Sequence, residues 1–227
     1  MSTLLLRLAA PLQSWGDESK FETRRTAPYP TKSGVVGLLA AALGISREDD
    51  DKLKELSSLK FGIRVDKEGR LLRDYHTVAA KNPYITQRFY LSDAVFLAGF
   101  ESSDEELLNR LEAALKSPAY PLYLGRRSCP PTLPLVLGIH EKELYQALSE
   151  EKWQLPDWQQ KNIFYENDRK LRIIIDDSSS DIIAKDLPIS FSKNHRRFGW
   201  RGIRECDSVA MPSYDSDTDH DPFAELR

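Results

Sequence analysis

Arg126 and Arg127 stand side by side between Gly125 and Ser128, with Pro130 and Pro131 just beyond. Two adjacent guanidiniums and a hydroxyl suit a phosphate. The glycine lets a backbone approach a ligand closely, and the prolines reduce the entropy lost in ordering the loop. A second group gathers Lys20, Arg24, Arg25 and Lys32 among Trp15, Phe21 and Tyr29. Cations of this kind neutralise phosphates, and aromatic faces stack on unpaired bases. Lys32, Ser33 and Gly34 also fall where a helix is expected to begin. Free N–H groups and the positive end of the helix dipole favour an anion there. Both groups have a plainer reading as solvated basic loops, with arginines in salt bridges and Trp15 buried.

Two further groups carry chemistry. In Arg73-Asp74-Tyr75-His76, the tyrosine and histidine could act as acid and base while a ribose 2′-hydroxyl attacks its own phosphodiester. The same residue types also serve as stacking or hydrogen-bonding groups. Lys193, His195, Arg196, Arg197, Arg201 and Arg204, interleaved with Phe198 and Trp200, could bind nucleic acid or an acidic protein surface. Asp215, Asp217, Asp219 and Asp221 alternate near the C-terminus. His220 stands where a calcium loop needs glycine, and no glutamate follows at the twelfth position, so no metal is expected. No nucleophile elbow, Walker loop, dinucleotide fingerprint or zincin motif occurs, and no cofactor is expected.

The elements that must position these groups follow from pattern. Thr3–Leu8 reads as an opening strand. A helix with Ser33 at its N-cap carries Val35, Val36, Leu38, Leu39 and Leu43 and ends at Gly44. Ser46–Leu56 predicts a short second helix. Lys60–Val65 predicts a strand that turns through Asp66–Gly69 into Arg70–Val78, and Ala79–Leu91 is less regular. Asp93–Phe100 is a strand. Ser103 and Glu106 form a capping box before Leu107, Leu108, Leu111 and Leu115. Leu135–Ile139 and, later, Leu171–Ile175 are strands. The order to residue 139 is strand, helix, strand, strand, helix, strand, which predicts an α+β chain with a ferredoxin-like, RRM-type βαββαβ core. A smaller β-rich portion is expected over 141–211, and 212–227 is an acidic tail expected to be disordered.

Composition fits a soluble protein: of 227 residues, 41% are hydrophobic and 30% charged. The longest nearly apolar stretch, Gly34–Ile45, is shorter than the roughly 20 residues a membrane span needs. The N-terminus, with Arg7 inside its apolar run, does not read as a signal peptide. Cys129 and Cys206 are far apart and are expected to be reduced thiols in the cytoplasm. The net charge of −3 hides an asymmetry, since residues 205–227 hold seven acids and one base and leave +3 on residues 1–204. Clustered bases, not the total, decide whether phosphates bind.

Four segments, LRLAAPLQSWG (6–16), TRRTAPYPTKSGVVGLLAAALGI (23–45), LRDYHTV (72–78) and YLGRRSCP (123–130), resemble in order and spacing the CasD-type subunits of Cascade, the type I-E CRISPR surveillance complex. The resemblance covers about residues 4–140. It implies a repeat-associated RAMP protein of antiviral defence that caps the 5′ handle of the CRISPR RNA without cutting it. The implied partners are a backbone subunit and the large PAM-recognising subunit, with target DNA reached only through the complex and no membrane. It also implies a β-hairpin thumb at about 78–91 within a 1–140 core, with Arg88 at the basic thumb position. Carried onto this sequence, Gln13, Trp15, Arg24, Arg25, Lys32, Ser33, Arg126 and Arg127 become handle-pocket residues, and Tyr75 and His76 line the same site. The alternative is a metal-independent endoribonuclease of repeat RNA, as in type I-C relatives, using Tyr75 and His76. No lysine adjoins His76.

Overall fold

The computed structural model describes residues 1–16, 22–79, 84–156, 159–160 and 170–210. The acidic tail, Lys20 and Phe21 lie outside these residues. The chain is a mixed α+β protein built mainly of antiparallel sheet. Strands β1 (Ser2–Ala9), β6 (Lys60–Lys67), β9 (Val95–Ser102), β10 (Val136–His140), β11 (Lys170–Asp176), β12 (Ile183–Ser190) and β13 (Arg197–Ala210) form one seven-stranded sheet. Their order is β10-β1-β9-β6-β11-β13-β12, and each neighbouring pair is antiparallel. Short strands β2 (Leu12–Gln13), β3 (Trp15–Gly16), β4 (Thr23–Arg24) and β5 (Thr26–Ala27) and the long limbs β7 (Arg70–Val78) and β8 (Tyr84–Ser92) lie off this sheet.

The central strands read as continuous apolar runs because both faces of the sheet are covered. On one face Leu4, Leu6, Leu8, Phe61, Ile63, Phe96, Ala98 and Phe100 share a core with helices α1 (Lys32–Leu43), α2 (Asp50–Ser58) and α3 (Glu105–Lys116). On the other, Leu5, Leu97, Ile173 and Ile175 meet Leu144, Ala147 and Leu148 of α4 (Leu144–Glu150). The expected stripe on α3 buries Leu107, Leu108, Leu111 and Leu115. At roughly 1.5–3 kcal/mol per buried leucine, this stripe far outweighs the propensity of so short a helix. Helix α4 sits close to the sheet because Gly99 has no side chain there: a Cβ would come within 2.7 Å of Leu144 Cδ1. Its C-terminal carbonyls are held by buried Arg64, which donates to Leu148 O, Glu151 O and Lys152 O while pairing with Asp66 at 2.7 Å.

Several local expectations are corrected. The N-cap of α1 is Thr31, whose hydroxyl accepts from Gly34 N at 3.3 Å, and not Ser33. Asp104, and not Ser103, caps α3 by accepting from Leu107 N at 2.9 Å. An ionised carboxylate is the stronger acceptor at a helix N-terminus. Arg70–Val78 does not pair with the preceding strand, because both edges of β6 are taken by β9 and β11. It pairs instead with β8, from Arg70↔Ser92 to Val78↔Tyr84. Of the stretch expected to be less regular, residues 84–91 lie in the nine-residue strand β8 and residues 80–83 lie outside the described residues, and the pairing of β7 with β8 starts at Arg70. The C-terminal strands continue the main sheet, since β11 bonds directly to β6. No described helix is long and apolar enough to cross a membrane.

Candidate nucleic-acid interface

Loop 124–129 is a closed turn held from both ends. Leu124 N donates to Cys129 O at 2.7 Å and Cys129 N to Arg126 O at 2.9 Å. Leu124 and Cys129 are buried, so the residues between them project outward. Burial pushes the Cys129 thiol up from its ordinary pKa, against weaker opposing effects of the Ser128 hydroxyl and the Arg126 charge. Gly125 adopts φ +86 and lies on the Ser14 backbone, where an added Cβ would sit 1.6 Å from Ser14 O. Only glycine fits that approach.

The loop packs its first arginine against two other segments. Arg126 lies over the Tyr90 ring, 4.6 Å from its centroid, and donates through Nη2 to Arg24 O at 3.0 Å. Strands β4 and β8 run parallel, placing Arg24 beside Arg88. Residues i and i+2 of a strand share a face, so Arg88 and Tyr90 both point toward this loop. The result is a hollow of about 380 Å³ lined by Arg24, Arg88, Tyr123, Gly125, Arg126, Arg127 and Ser128. Among the described residues, Arg88 Nε and Arg126 Nη1 are shielded from solvent and have no hydrogen-bond partner. A buried donor left unpaired costs about 1–3 kcal/mol, which an anion in the hollow would relieve. Tyr90 and Tyr123 were not singled out from sequence, although the spacing of Arg88 and Tyr90 carries the signal.

Other expected site residues fall elsewhere. Gln13 and Trp15 are fully buried. The Gln13 amide donates to Leu8 O and Ala94 O, and its oxygen accepts from the Trp15 indole at 3.1 Å. With its N–H satisfied, the indole fills the core, and neither side chain lines the arginine hollow. Lys32 is 4% exposed and its ammonium is spent internally, on Asp176 Oδ2 at 2.7 Å and Leu59 O at 2.8 Å. Burial lowers its pKa, and Asp176 opposes the shift. The anion at the start of α1 is the chain's own Asp186, which accepts from Lys32 N at 2.7 Å. Ser33 sits beside it, its hydroxyl 3.5 Å from Thr31 Oγ1. Arg25 is exposed but does not line the hollow.

Tyr75 and His76 are adjacent on β7, so their side chains point to opposite faces of the hairpin. Tyr75 is 70% exposed, while His76 Nε2 lies 2.6 Å from Asp74 Oδ2. The two do not line one site. The basic C-terminal run also divides. Arg201 is internal, bridging Asp186 and Asp176, and Arg204 pairs with Asp177 at 3.1 Å. Lys193, His195 and Arg196 remain exposed between β12 and β13, as does Arg197 at the start of β13. A separate hollow at the start of α2, lined by Glu48, Asp49, Asp50 and Asp51, has the wrong sign for a phosphate. Among the described residues no group of three or more His, Cys, Asp or Glu could hold a metal ion.

Comparison with known proteins adds the lineage. The family model described as CRISPR-associated protein (Cas_Cas5) matches residues 3–204. The Escherichia coli (strain K12) protein "CRISPR system Cascade subunit CasD" is 43% identical over 158 residues, which span 60% of this chain and 70% of that protein. A solved chain described as "Crystal structure of Cas protein" is 40% identical with a TM-score of 0.71, covering 92% of this chain and 95% of that one. A chain of a "CRISPR RNA-guided surveillance complex" is 31% identical with a TM-score of 0.74, covering 92% and 91%.

Proposed function

We propose, from the premise that this chain belongs to the CRISPR-associated Cas5 family, that it is a non-catalytic Cascade-type subunit holding the 5′ handle of a CRISPR RNA in the arginine hollow. The convergence of Arg24, Arg88, Arg126 and Arg127 from three distant segments, with two guanidinium nitrogens unpaired, carries this reading. A fixed handle can be read by a dedicated pocket through shape, phosphate charge and splayed bases, while the variable spacer is left to base pairing. Tyr90 beneath Arg126 keeps that guanidinium oriented, which lowers the entropy lost on binding.

The sheet order β10-β1-β9-β6, with α1 after β1 and α3 after β9, supports a ferredoxin-like core ending near residue 140. The β7–β8 hairpin would serve as the thumb. Leu71, Tyr75 and Ile85 are exposed on it and offer an apolar contact for a backbone subunit. The large PAM-recognising subunit is the second neighbour in this reading, target DNA is met through the assembly, and the setting is the cytoplasm.

The test is binding of a labelled handle RNA at one fixed salt concentration. Charge reversal at Arg126 and Arg127 should weaken binding by at least tenfold and reduce assembly with partner subunits. Unchanged affinity and assembly would remove the reading.

A further inference from the structure

We propose that His76 is a positioning residue for the arginine hollow: it holds the Asp74 carboxylate aside and so keeps Arg88 open to a phosphate. This deepens the handle-binding reading and rests on it. The β7–β8 ladder sets Asp74 directly across from Arg88, and His76 across from Thr86. Alternate residues of a strand share a face, so Asp74 and His76 lie on the hairpin face that carries Arg88 and Tyr90. That face is turned to the hollow, since Arg88 lines it and Arg126 lies over the Tyr90 ring. Burial agrees: Thr86 and Tyr90 on this face are buried, whereas Leu71, Tyr75 and Ile85 on the other are exposed. The Thr86 hydroxyl donates to His76 O at 3.3 Å and ties the two strands together at this point.

A carboxylate so placed is the natural partner of Arg88. Side chains directly opposite on an antiparallel pair start from Cβ atoms about 4.5–5.5 Å apart, and opposite charges there attract. The pair is nevertheless not made. Among the described residues Arg88 forms no ion pair, and its shielded Nε has no hydrogen-bond partner. Asp74 meets His76 instead, with Oδ2 2.6 Å from Nε2. The contact lacks hydrogen-bond angles, and Nε2 is shielded from solvent, so the Asp74 carboxylate is the polar group this imidazole edge faces. Turned onto Arg88, the same carboxylate would take the N–H groups a phosphate needs and repel the phosphate by its own charge. None of the residues lining the hollow is a carboxylate, so this one, held at its border, decides whether Arg88 is available.

The experiment makes two measurements on the full chain. In the free protein, heteronuclear NMR follows the Arg88 Nε–H signal. His76→Ala should shift that signal as Asp74 turns to the guanidinium, and the double variant His76→Ala, Asp74→Asn should return it toward the parent position. An unmoved signal in His76→Ala overturns the proposal. In the second measurement, a labelled single-stranded RNA of about 8 nucleotides is bound over a series of salt concentrations. His76→Ala should weaken binding about tenfold and lower the salt slope by about 0.7, the share of one phosphate contact. Asp74→Asn alone should bind at least as tightly as the parent, and the double variant should recover the parent's affinity. His76→Gln, which keeps an N–H near the Nε2 position, should recover most of it. A double variant as weak as His76→Ala overturns the proposal, because His76 would then meet the RNA itself or merely support the fold. A shifted Arg88 signal with unchanged RNA affinity would sustain the hold of His76 on Asp74 and overturn the handle-binding reading.

Discussion

Lys32 Nζ lies 2.7 Å from Asp176 Oδ2, although the two residues are 144 positions apart. The same carboxylate accepts from Phe61 N at 3.0 Å, and Arg201 ties Asp176 to Asp186, which caps the start of α1. One buried network therefore joins the first helix to the far strands of the sheet.

Removing one partner from such a network leaves an uncompensated buried charge. Lys32→Met should cost about 3–5 kcal/mol in urea unfolding, with handle RNA affinity of the folded protein unchanged. Asp176→Asn in the Lys32→Met background should cost much less than it does alone, because the orphaned charge is then gone. A Lys32→Met variant that is fully stable but binds RNA weakly would restore Lys32 to the interface.

Gly125→Ala tests the loop geometry without touching a charge. An alanine at φ +86, with its Cβ in the Ser14 carbonyl, must displace the loop. The strain is of order 1–3 kcal/mol or more. Affinity for handle RNA should fall although Arg126 and Arg127 are intact, while the Arg25→Ala protein should bind nearly as well as the parent. Equal binding by Gly125→Ala and the parent would show that loop placement does not matter.

The buried thiol predicts an alkaline signature. With its folded-state pKa raised by burial, Cys129 keeps its proton in the folded protein at pH values where the unfolded chain has lost it. The folded state then binds more protons, so this group's contribution to stability falls as pH rises above the ordinary thiol value of about 8.5. Tyr29, raised mainly by its own burial, acts in the same direction near its ordinary value of about 10. Denaturant midpoints should therefore drop less steeply above pH 8.5 in Cys129→Ala than in the parent, and a thiol reagent should modify Cys129 only on unfolding. Rapid labelling of native Cys129 would contradict this burial.

Repeat RNA incubated with the purified protein in EDTA should show no site-specific cleavage, and His76→Ala should give the same gel. The reason is geometric, since Tyr75 and His76 leave opposite faces of one strand and cannot meet at a single phosphodiester. Cutting at one position, abolished by His76→Ala, would establish the nuclease.

Helices α1 and α3, the apolar strands and the candidacy of Arg24, Arg126 and Arg127 as two separate cationic groups were legible in the residue order, whereas Arg88 came only from the family resemblance and its place beside the others only from the fold. Hydrophobic period and capping chemistry are local, and neighbours a few positions apart carry them. The sequence pattern also held Arg88 and Tyr90 at a spacing of two. What it did not hold was the fate of each charge. Lys32 and Arg201 carry the same positive charge as the arginines of the hollow, yet carboxylates on β11 and β12 neutralise them. Gln13 and Trp15 satisfy each other inside the core. The sequence determined which residues could bind a phosphate. Tertiary structure decided which of them are spent on internal partners, because an ion pair or a buried hydrogen bond depends on sheet order across the whole chain, and no local spacing encodes it.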